Sequence, residues 1–230
     1  MSMAAIFAAL HATLYVVSFN IAFWRNFAVY IEPIEAILLG PLYGFLSAII
    51  GSLTGRLASG FTDPLWIFGI AAESFSVLLV GFLARGNLKP ILGAYSIMLL
   101  AYFIHPFGLL LPIWTILDIL IALGLIWLAA YSSSNLLSSD KKKLPIALVL
   151  ISFICVTTDS LIRIFLLVPI GLYNFFNWGF DTLYFVFVSS AFYSYVEDII
   201  VVIVSLIVGT PTLLTVSKLG LTWKAKKDNS

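Results

Sequence analysis

The chain has 230 residues, of which 62% are hydrophobic and 10% are charged, and its formal net charge is +1. A water-soluble core of this size cannot bury so much apolar surface, and the near-neutral charge excludes the basic surface that nucleic-acid binding requires. The composition therefore predicts an integral membrane protein.

Apolar runs of about 20 residues, the length of a helix that crosses a bilayer, recur along the chain. They predict an all-α polytopic membrane protein, a compact bundle of about six to eight transmembrane segments. The segments are expected at 4–24, 34–57, 65–85, 91–110, 112–131, 146–168 and 183–208. The first lacks the basic leader and cleavage site of a signal peptide, so we expect a retained helix. Residues 1–217 are expected to form one helical domain, and 218–230 a basic cytoplasmic tail.

The segment 34–57 is broken by a Gly40-Pro41 pair, where the chain can turn or kink sharply. Two alternatives stand: one Pro-kinked helix, or a hairpin of two short helices. Irregular backbone at membrane depth must be covered by protein or by a water-filled cavity, so this segment is expected in the interior. Strips of small residues at a spacing of four, which allow close helix packing, indicate the same: Gly40, Gly44, Ala48 and Ser52, and Ser47, Gly51 and Gly55.

Basic residues predict the orientation of the chain in a cell membrane, since Lys and Arg concentrate in cytoplasmic connections. They cluster at three places, which are Arg85 and Lys89, then Lys141, Lys142 and Lys143, and finally Lys218, Lys224, Lys226 and Lys227. The connections 104–112 and 169–182 contain no Lys or Arg and are expected on the outer side of the membrane. The C-terminus is then cytoplasmic.

Ionisable residues inside the apolar segments are candidate functional groups, because each costs a few kcal/mol at the bilayer centre unless it faces a partner or a cavity. Asp159 and Arg163 lie four apart on one helix face, either as a structural ion pair or as a pair open to a polar ligand. Glu73 is expected either to face a ligand or to be a hydrogen-bonded structural carboxylate. Asp118 lies near the outer end of its segment, where solvation accounts for it.

Two further regions contribute candidates. Glu197 and Asp198 point about 100° apart on the last helix, so we expect one of them in the interior, close to Tyr193 or Tyr195. The loop Tyr173–Trp178 is expected to form either an interfacial aromatic belt or one wall of a pocket. The predicted substrate site comprises Glu73, Asp159, Arg163, Asn174, Asn177, Trp178, Tyr195 and Glu197. The loop that carries Glu32 and Glu35, which flank Pro33, is a second candidate lid if the hairpin forms, and exposure of both carboxylates to solvent is the simpler expectation.

Enzymatic signatures are absent from the sequence. It contains no Walker P-loop or dinucleotide fingerprint, and its two histidines and single Cys155 do not have the spacing of a metal cluster. No catalytic residue, cofactor or metal ligand is therefore predicted. Any ATP hydrolysis is expected to come from another chain.

Three stretches resemble the substrate-binding S component of energy-coupling factor (ECF) transporters: AAIFAALHATLYVV, LLGPLYGFLSAIIGSLTG and VEDIIVVIVSLIVGTPTLLTVSK. The resemblance covers 4–85 and 180–218. It implies capture of a vitamin or similar micronutrient outside the cell, association with a transmembrane T component and two ATPases, and toppling in the bilayer to release the substrate. The family's Ala-x-x-x-Ala contact with the T component carries over to Ala4 and Ala8, or to Ala5 and Ala9. Family members usually have six transmembrane segments. The pair of segments at 91–131 is additional and departs from the family's pattern.

The sequence thus favours the capture subunit of an ECF-type importer. Two other classes remain open at this stage. One is an integral-membrane enzyme that acts on a lipid or prenyl substrate with the carboxylates as catalysts. The other is a stand-alone transporter that uses the carboxylates as a proton relay.

Overall fold

The computed structural model describes residues 2–18, 26–60, 65–136 and 143–219. Within these ranges the chain is helical and contains no strand. The α-helices are α1 (Ser2–Ser18), α2 (Glu32–Ala58), α3 (Leu65–Leu83), α4 (Lys89–Ile104), α5 (Pro106–Leu110), α6 (Leu117–Ser132), α7 (Lys143–Leu167), α8 (Leu172–Phe175), α9 (Phe180–Val204) and α10 (Thr210–Lys218).

Several helical stretches are apolar enough for a bilayer. Four also have the length to cross it, namely Glu32–Ala58, Ile113–Asn135, Lys143–Leu167 and Phe180–Lys218. Shorter apolar helices cover Met3–Ser18, Phe68–Leu83 and Lys89–Ile104. Large apolar side chains are exposed along the outer faces, among them Ile97, Leu100, Phe185, Phe192, Ile199 and Ile203. So much exposed apolar surface indicates contact with lipid. This is the architecture of an all-α membrane protein, in agreement with the prediction from composition.

Helices α1 and α2 pack so closely that glycine is needed between them. A Cβ atom on Gly51 would lie 2.6 Å from the Cβ of His11 and 2.7 Å from the carbonyl oxygen of Ala8. A Cβ atom on Gly55 would lie 2.7 Å from the Cβ of Tyr15. Small residues at such contacts let the two backbones approach where lipid supplies no hydrophobic driving force.

The other small residues of α2 also face the interior. A Cβ atom on Gly44 would lie 2.8 Å from a methyl carbon of Val77 in α3. All seven positions of the two strips are buried: Gly40, Gly44, Ser47, Ala48, Gly51, Ser52 and Gly55. The prediction that this face is interior is confirmed.

Helix α2 is interrupted at Gly40, whose φ of 72° and ψ of −173° lie outside the helical region. A Cβ atom on Gly44 would be 3.6 Å from the carbonyl oxygen of Glu35. Residues nine apart on a straight helix are separated by about 13 Å along the axis. The segment 32–39 therefore folds back against the segment 41–58. This brings the acidic start of α2 into the interior.

The bend is held by the end of α3. Nη2 of Arg85 donates a hydrogen bond to the carbonyl oxygen of Leu39 at 3.4 Å, and a Cβ atom on Gly40 would collide with the Arg85 guanidinium group. A Cβ atom on Gly81 would be 2.7 Å from the backbone nitrogen of Pro41. Glycine is thus required on both sides of this contact.

Helix α7 is the most buried of the four long stretches and forms the centre of the bundle. The hydroxyl of Ser76 in α3 donates to the carbonyl oxygen of Cys155 at 2.7 Å. The hydroxyl oxygen of Tyr95 in α4 lies 3.1 Å from that of Thr158. These bonds satisfy polar groups that lipid cannot, and they connect α7 to two neighbours.

Two predicted segments differ from the observed helices. The segment 91–110 is broken at His105, which is extended (φ −70°, ψ 132°) because the proline that follows disfavours the helical conformation. The segment 183–208 continues past its predicted end. A π-helical turn at Ser205–Gly209 leads directly into α10, and the helix reaches Lys218.

Part of the predicted orientation falls on residues that the structure does not describe. The basic positions Lys141, Lys142, Lys224, Lys226 and Lys227 lie outside the described ranges. The sidedness of the basic connections therefore stays a prediction.

Gly51→Ala should destabilise the protein by about 1–3 kcal/mol, because the added methyl group has backbone and a buried ring in its way. The measurement is thermal unfolding of the purified protein in detergent. Gly93→Ala is the matched control, since Gly93 is helical and a Cβ atom there meets nothing within 4 Å. Its stability should be unchanged or slightly raised. Equal effects at the two positions would contradict the close α1–α2 contact.

Candidate binding cavity and buried charge cluster

A cavity of about 500 Å³ lies among α3, α6, α7 and α9, with α8 and the loop after it forming one side. Much of the lining is apolar and largely aromatic, with contributions from Phe68, Ile119, Ile164, Phe176, Trp178 and Phe187. Charged side chains also reach the cavity surface, namely Arg56, Glu73, Asp118, Arg163 and Glu197. An apolar chamber with a few fixed polar groups is the usual form of a small-molecule site.

The Glu73 carboxylate is the hub of the charged side. Its Oε1 accepts hydrogen bonds from Nη2 of Arg56 at 2.6 Å and from Nδ2 of Asn26 at 2.8 Å, and it lies 3.4 Å from Nη2 of Arg163. Its Oε2 accepts from Nη1 of Arg56 at 3.0 Å and from the hydroxyl of Ser52. Glu73 is 1% exposed and Arg56 is 4% exposed. A buried ion pair of this kind is stable only with such additional hydrogen bonds.

The local sequence makes room for the Arg56 guanidinium group. Gly69 lies one helical turn before Glu73, and a Cβ atom there would collide with Nη2 of Arg56. The same guanidinium group lies over the Tyr15 ring, 4.6 Å from its centroid. Ser52, one turn before Arg56, accepts a hydrogen bond from it. Arg56 is therefore fixed by α1, α2 and α3 together.

Arg163 joins the cluster to the cavity. Its Nε donates to Oδ2 of Asp159 at 2.8 Å, and its Nη2 donates to Oδ1 of the same carboxylate at 3.1 Å. The paired geometry restricts the guanidinium group to one orientation. Asp159 is fully buried, whereas the Arg163 side chain is 32% exposed. Arg163 is thus the member of this pair that a molecule in the cavity can reach.

His11 lies between two buried carboxylates. Its Nδ1 is 3.3 Å from Oε2 of Glu35, and its Nε2 is 3.5 Å from Oε2 of Glu73. Glu32, one turn before Glu35, is also fully buried. The prediction that Glu32 and Glu35 are exposed to solvent is wrong, because the chain folds back at Gly40 and carries them inward.

The structure brings together part of the predicted substrate site. Glu73, Arg163, Trp178 and Glu197 line the cavity, and Asp159 holds Arg163 from behind.

Three predicted residues do not line the cavity. Asn174 and Asn177 are exposed, and Asn177 has a positive φ of 54° in the turn that ends the loop. The hydroxyl of Tyr195 donates to the carbonyl oxygen of Trp114. Asp118, which was expected to be solvated, is instead 6% exposed and contributes to the cavity wall.

Sequence reasoning missed Arg56 and His11. A usable signal was present for each, since both continue a small-residue strip at helical spacing. Arg56 follows Gly44, Ala48 and Ser52 at intervals of four, and His11 follows Ala4 and Ala8 on the buried face of α1. A polar residue in register with a packing strip is expected to point inward.

The two alanine pairs of α1 are in different surroundings. The carbonyl oxygen of Ala4 accepts a hydrogen bond from the hydroxyl of Ser47 in α2 at 2.9 Å, and Ala8 is buried against the same helix. Ala5 and Ala9 are exposed. Only the second pair presents both of its side chains to a neighbouring molecule.

Comparison with known protein families, with curated proteins and with solved structures gives no match.

Glu73→Gln should destabilise the protein by about 3–5 kcal/mol, because it leaves the buried Arg56 guanidinium group without its carboxylate. The measurement is the thermal unfolding midpoint in detergent. Asp181→Asn removes the same charge from an exposed position in the first turn of α9 and should leave the midpoint unchanged. A Glu73→Gln protein as stable as wild type would show that the pair does not organise the interior.

Proposed function

We propose that this chain is a membrane-embedded capture protein for a small organic solute and acts as the S component of an ECF-type importer of a vitamin-like micronutrient. The cavity carries this proposal, because its lining combines apolar, largely aromatic side chains with a rigid charged cluster. Its volume of about 500 Å³ suits a small solute. A solute with an apolar or aromatic body and a polar end fits this lining.

Arg163 is the residue proposed to recognise the polar end of the solute. It faces the cavity, and Asp159 and Glu73 orient its guanidinium group without burying it. A preoriented guanidinium group loses little side-chain entropy when it binds an anionic or carbonyl group. Glu73 and Asp159 then act as positioning residues, and Trp178 and Glu197 contact the solute.

The proposed arrangement in the membrane follows the bend at Gly40. Residues 32–39 and 41–58 form a re-entrant hairpin, which is allowed at membrane depth because α1 and α3 cover it. The C-terminus is cytoplasmic. The T component and the ATPase subunits supply the energy, and the exposed Ala5 and Ala9 face of α1 is the proposed contact with the T component.

A stand-alone proton-coupled transporter is the second candidate. The observation that favours it is His11, which lies within 3.5 Å of two buried carboxylates and so connects α1, α2 and α3 through titratable groups. Transport in proteoliposomes separates the two candidates. Uptake driven by a pH gradient without ATP supports this second candidate, and uptake that requires the T component and ATP supports the first.

Filling the cavity should abolish retention of the solute. Ala191 is 3% exposed and lines the cavity, so Ala191→Phe places a ring in the space. Native mass spectrometry of the purified protein is expected to show a small-molecule adduct on wild type and none on Ala191→Phe. The control is Val196→Phe, which adds a ring to the same helix at an exposed position. Arg163→Ala should also lose the adduct, and an adduct retained by both cavity variants would contradict the proposed site.

Replacing both Ala5 and Ala9 with Trp should prevent assembly with a T component and leave solute retention intact, because bulky side chains block a contact between small residues. Co-purification with co-expressed T and ATPase subunits is the measurement. Val17→Trp, exposed elsewhere on α1, is the control and should assemble normally. A complex that forms with the double variant would exclude this face.

A further inference from the structure

His11, Glu32 and Glu73 form a buried three-residue group beside the cavity. Each offers one side-chain ligand atom, and these atoms lie within 4.8 Å of one another. The three residues belong to α1, to the start of α2 and to α3, and none is more than 1% exposed. Atoms that bind one metal ion at about 2.1 Å lie roughly 3–4 Å apart, so only a small contraction is needed.

Glu32 is the unusual member of this group. Its side chain is fully buried, and neither of its carboxylate oxygens has a hydrogen-bond partner among the residues that the structure describes. A buried ionised carboxylate without a partner is strongly unfavourable, so it calls for a cation or a proton. Because Glu32 offers an oxygen toward His11 and Glu73, a cation bound there would satisfy it.

The surroundings of His11 match those of a metal-binding imidazole. Its Nδ1 lies 3.3 Å from Oε2 of Glu35, where a neutral ring donates its single N–H. Metal-binding histidines almost always donate their second ring nitrogen to such an acceptor, which fixes the tautomer. That leaves Nε2, on the side of Glu73, with a lone pair for an ion.

The charge of the cluster also indicates a divalent cation. Among the residues that the structure describes, the cluster contains the carboxylates Glu32, Glu35, Glu73 and Asp159 and the guanidinium groups Arg56 and Arg163. With a neutral His11, two negative charges remain in a buried region. One divalent ion neutralises them.

We propose that His11 Nε2, Glu32 and Glu73 bind one divalent transition-metal ion, and that Glu35 is the positioning residue for His11. One imidazole nitrogen with carboxylate oxygens suits ions such as Zn²⁺ or Mn²⁺. Mg²⁺ and Ca²⁺ prefer oxygen ligands alone. The ion shares the Glu73 carboxylate with Arg56, which is usual because ligating carboxylates are themselves hydrogen-bonded.

This site would stabilise the fold as well as bind the ion. It connects α1, residues 32–39 of α2 through Glu32 and Glu35, and α3, and both α1 and α3 also contribute to the cavity lining. Since an ion that binds only the folded state raises stability by mass action, metal should raise the unfolding temperature. The site does not depend on which organic solute occupies the cavity.

The test uses the full-length protein in detergent, stripped with a chelator and titrated with Zn²⁺ or Mn²⁺ alone. Elemental analysis gives the stoichiometry, and calorimetry gives the affinity. We expect one ion per chain and a higher unfolding temperature in its presence. His11→Gln and Glu32→Gln should each weaken binding by more than about 100-fold, and Glu35→Gln by about 10–100-fold, as for outer partners of metal ligands. Asp181→Asn should bind as wild type does.

Glu32→Gln should fold, because it preserves the shape of the side chain and removes an unpaired charge. It should unfold at the same temperature as metal-free wild type or higher, and metal should not raise that temperature. Wild type that takes up no stoichiometric Zn²⁺ or Mn²⁺, Glu32→Gln that binds as tightly as wild type, or stoichiometric binding of Mg²⁺ alone would each overturn the proposal. Solute retention, measured separately by native mass spectrometry, tests the capture function without bearing on the metal site.

Discussion

The ion pair between Glu73 and Arg56 is the interaction on which the interior of this protein depends. Two full charges in the middle of an apolar bundle are tolerated only when they meet directly and when their remaining hydrogen-bonding capacity is used. Asn26 and Ser52 supply further bonds to the Glu73 carboxylate, and Ser52 also accepts one from Arg56. The pair also requires space, and Gly69 provides it where any side chain would collide with the guanidinium group. Glycine at position 69 of α3 is therefore a consequence of the buried charges, whereas Gly51 and Gly55 of α2 allow the close packing of α1.

The cluster gives the cavity its polarity without filling it. Arg56 and Glu73 reach the cavity surface but are almost fully buried against each other, whereas about a third of the Arg163 side chain is exposed. Because Asp159 holds both Nε and Nη2, the guanidinium group has little freedom to rearrange. The apolar lining comes from α3, α6, α7, α9 and the loop after α8, so α3 and α7 supply both charged and apolar groups to the cavity.

Local patterns in the sequence predicted the features that depend on local structure. Hydropathy located the long helices, and the spacing of Gly44, Ala48 and Ser52 predicted the interior face of α2. The spacing of Asp159 and Arg163 likewise allowed their pairing. The predictions that were wrong depend on contacts between residues far apart in the sequence. Glu32 looks solvent-exposed beside a proline, and only the fold-back at Gly40 makes it a buried group.

The same limit explains the residues that were predicted and do not reach the cavity. Asn174 and Asn177 have the right chemistry in the right loop, but backbone conformation decides where an amide points, and nothing in the sequence determines that turn. The sequence does not indicate His11 as a metal ligand, because metal-site patterns are defined by spacing along one chain segment. Here the neighbouring groups come from three separate helices, so no spacing rule applies.

The contact between Arg85 and the Leu39 carbonyl has a consequence for the order of assembly. The carbonyl end of a helix carries a partial negative charge that a cation stabilises. The short helix before Gly40 receives that cation from a residue 46 positions later in the chain, just after α3. During synthesis the bend at Gly40 therefore leaves the ribosome well before the group that secures it, and the contact with the Leu39 carbonyl forms only after α3 has been made.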